Sequence, residues 1–316
     1  MRYNLLGNTG IKVSQLCFGV LPMGPLQVNI SPDDGGELLL AAMENGVNFF
    51  DTAQSYGTYA HLAKALRHYP ERVVLASKST AADYAGMRRA IEEALEQLGV
   101  DCIDIFHLHA ARVGRDLLTQ RAGAWQCLLD YRQKGYIRAA GVSSHNAQLI
   151  EDLAENPDVD VLFPLINKTG LGILSGGRED MCRAIAKAAA AGKGVYAMKA
   201  LGGGALLSDY RQAMDFVCGL PGVASVAVGM VRVSELAFNL RYFNGQTIEE
   251  EELSHLKNGK RWVLMQALCK NCGTCVQVCP NHALRLGPEC CQVDEAKCIL
   301  CGYCAPVCPQ FAIRLG

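Results

Sequence analysis

Up to about residue 245, short apolar runs alternate with longer stretches in which apolar residues recur every three or four positions. The runs are LCFG (16–19), NFFDTA (48–53), VVLASK (73–78), IDIFHLH (103–109), IRAAGVSS (137–144), VLFPLIN (161–167), GVYAMKAL (194–201) and VASVAVGM (223–230). Between them lie stretches such as GGELLLAAMENG, YAGMRRAIEEALEQLG and LLTQRAGAWQCLLDYRQKG. Their spacing predicts helices, and several end at Gly, which adopts the left-handed turn that stops a helix. Runs that are apolar on both faces predict strands of a parallel sheet covered by helices. Eight such units in roughly 250 residues predict a (β/α)8 barrel, whose chemistry sits at the C-terminal ends of its strands. A doubly wound open sheet is the alternative, and the missing GxGxxG after the first run counts against it. Residues 247–264 read as a closing helix, N-capped by Thr247 with Glu250 as its capping-box partner. The composition changes at Cys269, which puts the barrel at 1–262 and a small α+β module at 263–316.

Half of the 316 residues are apolar and 19% are charged, a globular composition with ample apolar surface for a large core. The formal net charge of −1 gives no electrostatic reason to expect nucleic acid or an anionic membrane as partner. MRYNLLGNTGIKVSQL lacks the plan of a signal peptide, and no apolar run reaches the ~18 residues that span a bilayer. A reducing, cytoplasmic setting follows as the expectation.

That setting decides how the 15 cysteines are read. Cys17, Cys102, Cys127, Cys182 and Cys218 lie in apolar or helical contexts, where a small buried thiol is expected. The other ten fall between Cys269 and Cys308, where metal is a better reading than disulfides. Eight of these ten form two runs, Cys269-x2-Cys272-x2-Cys275-x3-Cys279-Pro280 and Cys298-x2-Cys301-x2-Cys304-x3-Cys308-Pro309. Three closely spaced thiolates can reach three corners of one iron-sulfur cube, and two such runs are far more specific than the paired CxxC of a zinc site. Over about its last 50 residues the chain resembles bacterial ferredoxins with two [4Fe-4S] clusters. The resemblance implies that the fourth cysteine of each run serves the other cluster. Cluster one then takes Cys269, Cys272, Cys275 and Cys308; cluster two takes Cys298, Cys301, Cys304 and Cys279. Cys290 and Cys291 fall outside the pattern, either as bystanders or in a redox role.

Four residues stand out at the strand ends of the barrel. Asp51 ends NFFDTA, Tyr56 follows in DTAQSYG, Lys78 ends VVLASK and His109 ends IDIFHLH. Singly they read as a helix cap, a solvated strand end or a core histidine; jointly, on successive strands, they suit reduction of a carbonyl. A phenol is a weak proton donor at its free pKa of ~10, a neighbouring Lys⁺ lowers that pKa, and an Asp holds the Lys in place. A nearby His can hydrogen-bond the carbonyl oxygen. His107 lies two residues before His109, faces the same way, and is a reserve candidate.

Here the chain resembles the aldo-keto reductase superfamily over roughly residues 3–243. The likeness is carried by LGNTGIKVSQLCFG, FFDTAQSYG, ASK, HLH, GVSSH and GMVRVSELAFNL. It implies a barrel that binds NADPH or NADH and an Asp-Tyr-Lys-His tetrad at Asp51, Tyr56, Lys78 and His109. The cofactor positions match less closely. Ser143 and Ser144 stand where Ser-Asn is usual, and Phe163 stands for a Gln, with Asn167 nearby. Lys199, in the seventh run, joins these candidates. Met230 and Glu235 replace the Lys and Arg that hold a 2′-phosphate, leaving Arg232 as the cation, while Asn239 is kept. A carboxylate repels a 2′-phosphate and can accept from a free 2′-hydroxyl, so NADH and a nicotinamide-free barrel stay open beside NADPH. Gly202-Gly203-Gly204 suits either close approach to a pyrophosphate or a plain turn.

Nicotinamide carries two electrons as hydride and iron-sulfur clusters carry one at a time, with no flavin motif in view to join them. Three functions follow. In the first, the barrel is a nicotinamide-dependent reductase of small carbonyl compounds with the clusters as relay. In the second, the clusters feed electrons directly to a substrate or cofactor at the barrel mouth. The third possibility is an electron-transfer protein whose barrel docks a redox partner protein. The loops at 21–34, 111–116 and 168–178 carry no readable specificity, and LGILSGGRED (171–180) reads as a mobile lid or a surface loop.

Overall fold

A computed structural model describes residues 1–248, 261–279, 281–298, 304–305 and 307–315. All eight apolar runs lie on the staves of one closed parallel barrel. In chain order, after an N-terminal hairpin of β1 (Tyr3–Leu5) and β2 (Lys12–Ser14), these are β3 (Leu16–Gly19), β4 (Phe49–Asp51), β5 (Val74–Ser79) and β6 (Ile103–His109). They continue with β7 (Ile137–Ser144), β8 (Val161–Pro164), β9 (Gly194–Met198) and β10 (Val223–Gly229), which pairs with β3 and closes the ring.

Alternation along each stave sorts the side chains into two layers. Phe50, Leu75, Phe106, Leu108 and Leu162 point outward into the large core shared with the surrounding helices. Phe49, Ala76, Ile105, Val161, Phe163 and Tyr196 point inward and fill the barrel. By the same parity Asp51, Lys78, His107 and His109 are inward positions above those apolar layers. The helices start and stop where local chemistry directs. Ser31 and Asp83 accept the Asp34 and Gly86 amides at the starts of Pro32–Glu44 and Tyr84–Leu98, and the latter stops at Gly99, φ 69°.

The N-terminal hairpin seals the bottom of the barrel, with Leu6, Ile11 and Val13 packed under the inward residues. Gly7 makes that approach possible. At φ 54°, a Cβ added there would stand 2.4 Å from the backbone of Gly194 and Lys193. Gly7→Ala therefore combines a left-handed backbone with a collision, and a loss of about 1–3 kcal/mol is expected. A thermal melt of the cluster-replete protein checks this; an unchanged midpoint would show that the hairpin can lift away.

The iron-sulfur region is built from two short antiparallel pairs. β11 (Trp262–Leu264) pairs with β14 (Ile313–Leu315), and β12 (Leu284–Leu286) with β13 (Cys291–Val293). The predicted closing helix is thus corrected at its end: residues 262–264 are a strand of the iron-sulfur region, because their partner is the chain's own last strand. Its centre and the Glu250 cap lie outside the described residues. Of the five isolated cysteines, Cys17 and Cys127 are buried, while Cys102, Cys182 and Cys218 are half-buried. Among the described residues no helix is long and apolar enough to cross a membrane.

Candidate active site and cluster cavity

Neighbouring staves β4, β5 and β6 bring three of the four tetrad candidates together. Asp51 is level with Ala76, Lys78 with His107, and His109 with Ser143. Tyr56 arrives from the short helical turn Gln54–Tyr56, which leaves β4. The Lys78 ammonium donates to the Asp51 carboxylate at 2.6 Å and to the Thr52 carbonyl at 2.7 Å. Both side chains are almost fully buried, so each charge depends on the other. Burial alone would lower the Lys78 pKa, but Asp51 and Tyr56 together outweigh it and the net shift is upward. Burial likewise raises Asp51, against the pull of Lys78 and Tyr196. The Lys78 ammonium lies 4.8 Å from the centre of the Tyr56 ring.

Tyr56 departs from the sequence expectation. Burial raises its pKa more than Lys78 lowers it, so the phenol keeps its proton at neutral pH. His109 packs edge-on against Tyr56, ring centres 6.1 Å apart. Burial first, then Lys78, push the pKa of His109 down to about 3, so its imidazole is neutral. His107 does face the same way but sits one layer deeper, fully buried. Its Nε2 lies 2.8 Å from the Tyr196 hydroxyl, which donates to Asp51 at 3.0 Å. Tyr196 is the residue that the sequence reading missed. It buttresses Asp51 from below, stacking on Phe163 at 3.8 Å, and only its inward parity on β9 signalled it.

Asp51 and Tyr56 line a cavity of about 210 Å³ that runs past Gly203 and Gly204 to Glu235 and Asn239. The candidate cofactor residues Glu235 and Asn239 thus share one space with Asp51 and Tyr56 of the tetrad. Lys199 lines it as well. Ser143 is buried beside His109 and its hydroxyl has no partner, as a bond to an absent ligand group would leave it. Ser144 and Asn167 are used internally. Ser144 donates to the Ala110 carbonyl at 3.1 Å, and the Asn167 amide holds the 167–171 turn together. Arg232 pairs with Glu235 at 2.9 Å, and Glu235 also accepts the Val231 amide at 2.8 Å. Asn239 accepts from Tyr210 at 2.7 Å. Met230 is buried.

In the iron-sulfur region, Cys269, Cys272, Cys275 and Cys308 line one small cavity. Cys308 comes from the second run, so the set is the one implied for cluster one. Among the described residues no three metal-binding side chains crowd a point where a single ion would sit. Thiols set around a space are what a four-cornered cube needs. Cys291 lines the same cavity, its sulfur 3.4 Å from that of Cys275, which its place outside the repeat did not reveal. The fourth cysteines of the two runs have matching surroundings: the Ala283 amide donates to Cys279 and the Ala312 amide to Cys308, each at 3.3 Å. Of the implied cluster-two ligands, Cys279, Cys298 and Cys304 are described and Cys301 lies outside the described residues.

Comparison with known proteins agrees with both regions. Residues 15–217 match the model of the aldo/keto reductase family, and residues 262–285 and 291–314 match the 4Fe-4S binding domain. The chain is 28% identical over 200 residues to L-galactose dehydrogenase of Arabidopsis thaliana, covering 54% of this chain and 63% of that protein. It is 31% identical over 172 residues to 6-dehydroglucose reductase of Novosphingobium aromaticivorans, covering 48% and 54%. The match thus spans less than two thirds of these relatives' length. A crystal structure of a Pseudomonas aeruginosa aldo-keto reductase superposes with a TM-score of 0.66 at 26% identity, over 79% of this chain and 95% of that one. The fold alone is shared with an aldo-keto reductase of Bacillus halodurans, TM-score 0.64 at 19% identity, over 81% and 95%. The chain belongs to the aldo/keto reductase family, and its barrel is followed by two 4Fe-4S binding motifs.

Proposed function

We propose that this protein reduces a small carbonyl compound with a nicotinamide cofactor, Tyr56 serving as proton donor. The observation that carries the reading is the shared cavity, with Asp51 and Tyr56 at one end and Glu235 and Asn239 at the other. A bound nicotinamide would supply the two electrons as hydride. Tyr56 gives its proton to the carbonyl oxygen, and Lys78 stabilises the phenolate left behind. Asp51, braced by Tyr196, keeps Lys78 charged and in place. His109, neutral, donates a hydrogen bond to the same oxygen. A neutral imidazole over the range pH 5 to 8 implies that His109 adds no inflection to kcat/KM there.

Glu235 supports NADH over NADPH. It is buried at the cavity wall and pairs with Arg232, so the cation beside it is engaged by a carboxylate. A 2′-phosphate would meet that carboxylate, and NADH is expected to bind at least about tenfold more tightly. Anaerobic titration of the cluster-replete protein with each nucleotide, followed by nicotinamide fluorescence, checks it; tighter NADPH binding would sink the assignment. The same titration tests the whole reading, since binding of neither nucleotide would leave the clusters as electron source.

A second reading, in which the clusters feed the barrel directly, is favoured by one contact. The segment that follows Cys308 docks on the barrel mouth, Arg112 bonding Gln310 at 2.7 Å and Phe311 packing on His145. The boundary we propose between the units falls just before Trp262, where β11 begins. A redox partner protein belongs to a third reading, in which the barrel serves as its docking surface.

A further inference from the structure

The two halves of the iron-sulfur region repeat one local shape. Cys279-Pro280-Asn281-His282-Ala283-Leu284-Arg285 corresponds to Cys308-Pro309-Gln310-Phe311-Ala312-Ile313-Arg314. His282 and Phe311 both take left-handed backbone, φ 49° and 47°. The surroundings of the two copies differ. His282 and Arg285 are exposed, as a free surface allows. Phe311 and Arg314 are 2% and 6% exposed, pressed against the barrel mouth. Arg314 crosses over Gly203, where an added Cβ would stand 3.1 Å from its Cδ, and lines the same cavity as Asp51 and Tyr56.

There it meets a second cation. The Phe311 ring has the Arg314 guanidinium 4.0 Å from its centre and the Lys199 ammonium 4.5 Å from it. Lys199 itself is held at φ 62°, a strained backbone for a residue with a side chain, and its ammonium rests 3.1 Å from His145 Nε2. Among the described residues no carboxylate pairs with Lys199, Arg314 or the adjacent Arg112. The Cys308 sulfur offsets part of the charge on Arg314 and Arg112. Lys199 meets only burial and other cations, Arg314 foremost, and its pKa is held well below the usual lysine range. Arg314 is buried and donates to the Phe311 and Ile313 carbonyls, Lys199 is half-buried, and both line one cavity. Two cations on one cavity wall with no paired carboxylate among the described residues are a site for an anion from outside. Tyr56 and Arg314 line the same cavity, so the anion would share it with the proton donor.

We propose that Lys199 and Arg314 form an oxyanion subsite beside Tyr56, and that the substrate is a small carbonyl compound bearing a carboxylate, of the oxo-acid class. This rests on the reductase reading above. A bound nicotinamide would supply hydride to the carbonyl carbon and be oxidised in doing so, and Tyr56 gives its proton to the carbonyl oxygen. Lys199 and Arg314 hold the carboxylate and take no part in the transfer. The iron-sulfur region thereby supplies part of the barrel's substrate specificity.

The test uses the full cluster-replete chain under anaerobic conditions, with 2-oxo acids and their methyl esters as matched pairs. Acids are expected to exceed their esters in kcat/KM by about 10–100-fold, through KM. In Arg314→Gln and in Lys199→Met that ratio should collapse toward one. A ratio near one in the wild type, or one that survives both substitutions, would overturn the proposal. So would weakened NADH binding in both variants with the ratio intact, because the anion would then be the dinucleotide's pyrophosphate. Should Arg314→Gln disturb the clusters, visible absorption reports it and Lys199→Met carries the result. If neither acid nor ester is reduced, calorimetry with oxamate separates the two ideas. Binding that Lys199→Met removes keeps the subsite and rejects the reductase reading; no oxamate binding to the wild type rejects the subsite.

Discussion

Tyr56→Phe is expected to lower kcat/KM for carbonyl reduction by about 10²–10⁴-fold, the span that one positioned proton donor contributes. The substitution removes a single oxygen and keeps the ring that packs on His109 and lies over the Lys78 ammonium. Neither the barrel nor the clusters should notice, so nucleotide binding and visible absorption serve as internal controls. The buried Lys78–Asp51 pair keeps its own hydrogen bonds in the variant, which isolates the loss to the missing proton. Lys78→Met would be a poorer experiment. It leaves Asp51 buried and without its ammonium, which costs about 3–5 kcal/mol of stability as well as activity. Full activity in Tyr56→Phe would remove Tyr56 as the acid.

The second large effect concerns the metal. Cys272→Ser and Cys308→Ser come from different runs of the sequence but line the same cavity. Each is expected to cost one cluster, so iron falls from about eight to about four per chain. The double variant should lose no more than either single one, since both strip the same cube. Cys272→Ser combined with Cys279→Ser should lose nearly all iron, because on the crossed assignment those two, though members of one run, serve different cubes. Iron content near zero in the Cys272→Ser/Cys308→Ser protein would mean that each run holds its own cluster and that the crossed assignment is wrong.

The barrel was legible because its signal is doubled: each stave is apolar on both faces and each is followed by a helical period. The tetrad was legible because Asp51, Lys78 and His109 each end such a run. What stayed hidden has a common cause. Tyr196 lies in the middle of an apolar run, and nothing in GVYAM separates a tyrosine that braces Asp51 from one that merely fills space. Trp262–Leu264 does not read as a strand, because three residues set no period and their partner lies about 50 residues on. Arg314 and Arg285 occupy equal places in two near-identical repeats. Only the docking of one copy distinguishes them, and docking leaves no trace in local sequence. The net effect of burial on Tyr56 was likewise invisible, since a list of neighbours gives the sign of each charge but not how dry the pocket is.

The seam between the two regions has a consequence for how the protein fails. The strand at the barrel mouth begins five residues after Cys308, a proposed cluster ligand, so its seat depends on the cube that would anchor Cys308. Oxygen that dissolves cluster one should therefore unseat Phe311 and Arg314 and open the catalytic cavity to water. Carbonyl reduction is then expected to decay in step with bleaching, even if no electron from the clusters ever enters the reaction. The iron-sulfur region would act as a fuse, switching the barrel off once its surroundings turn aerobic.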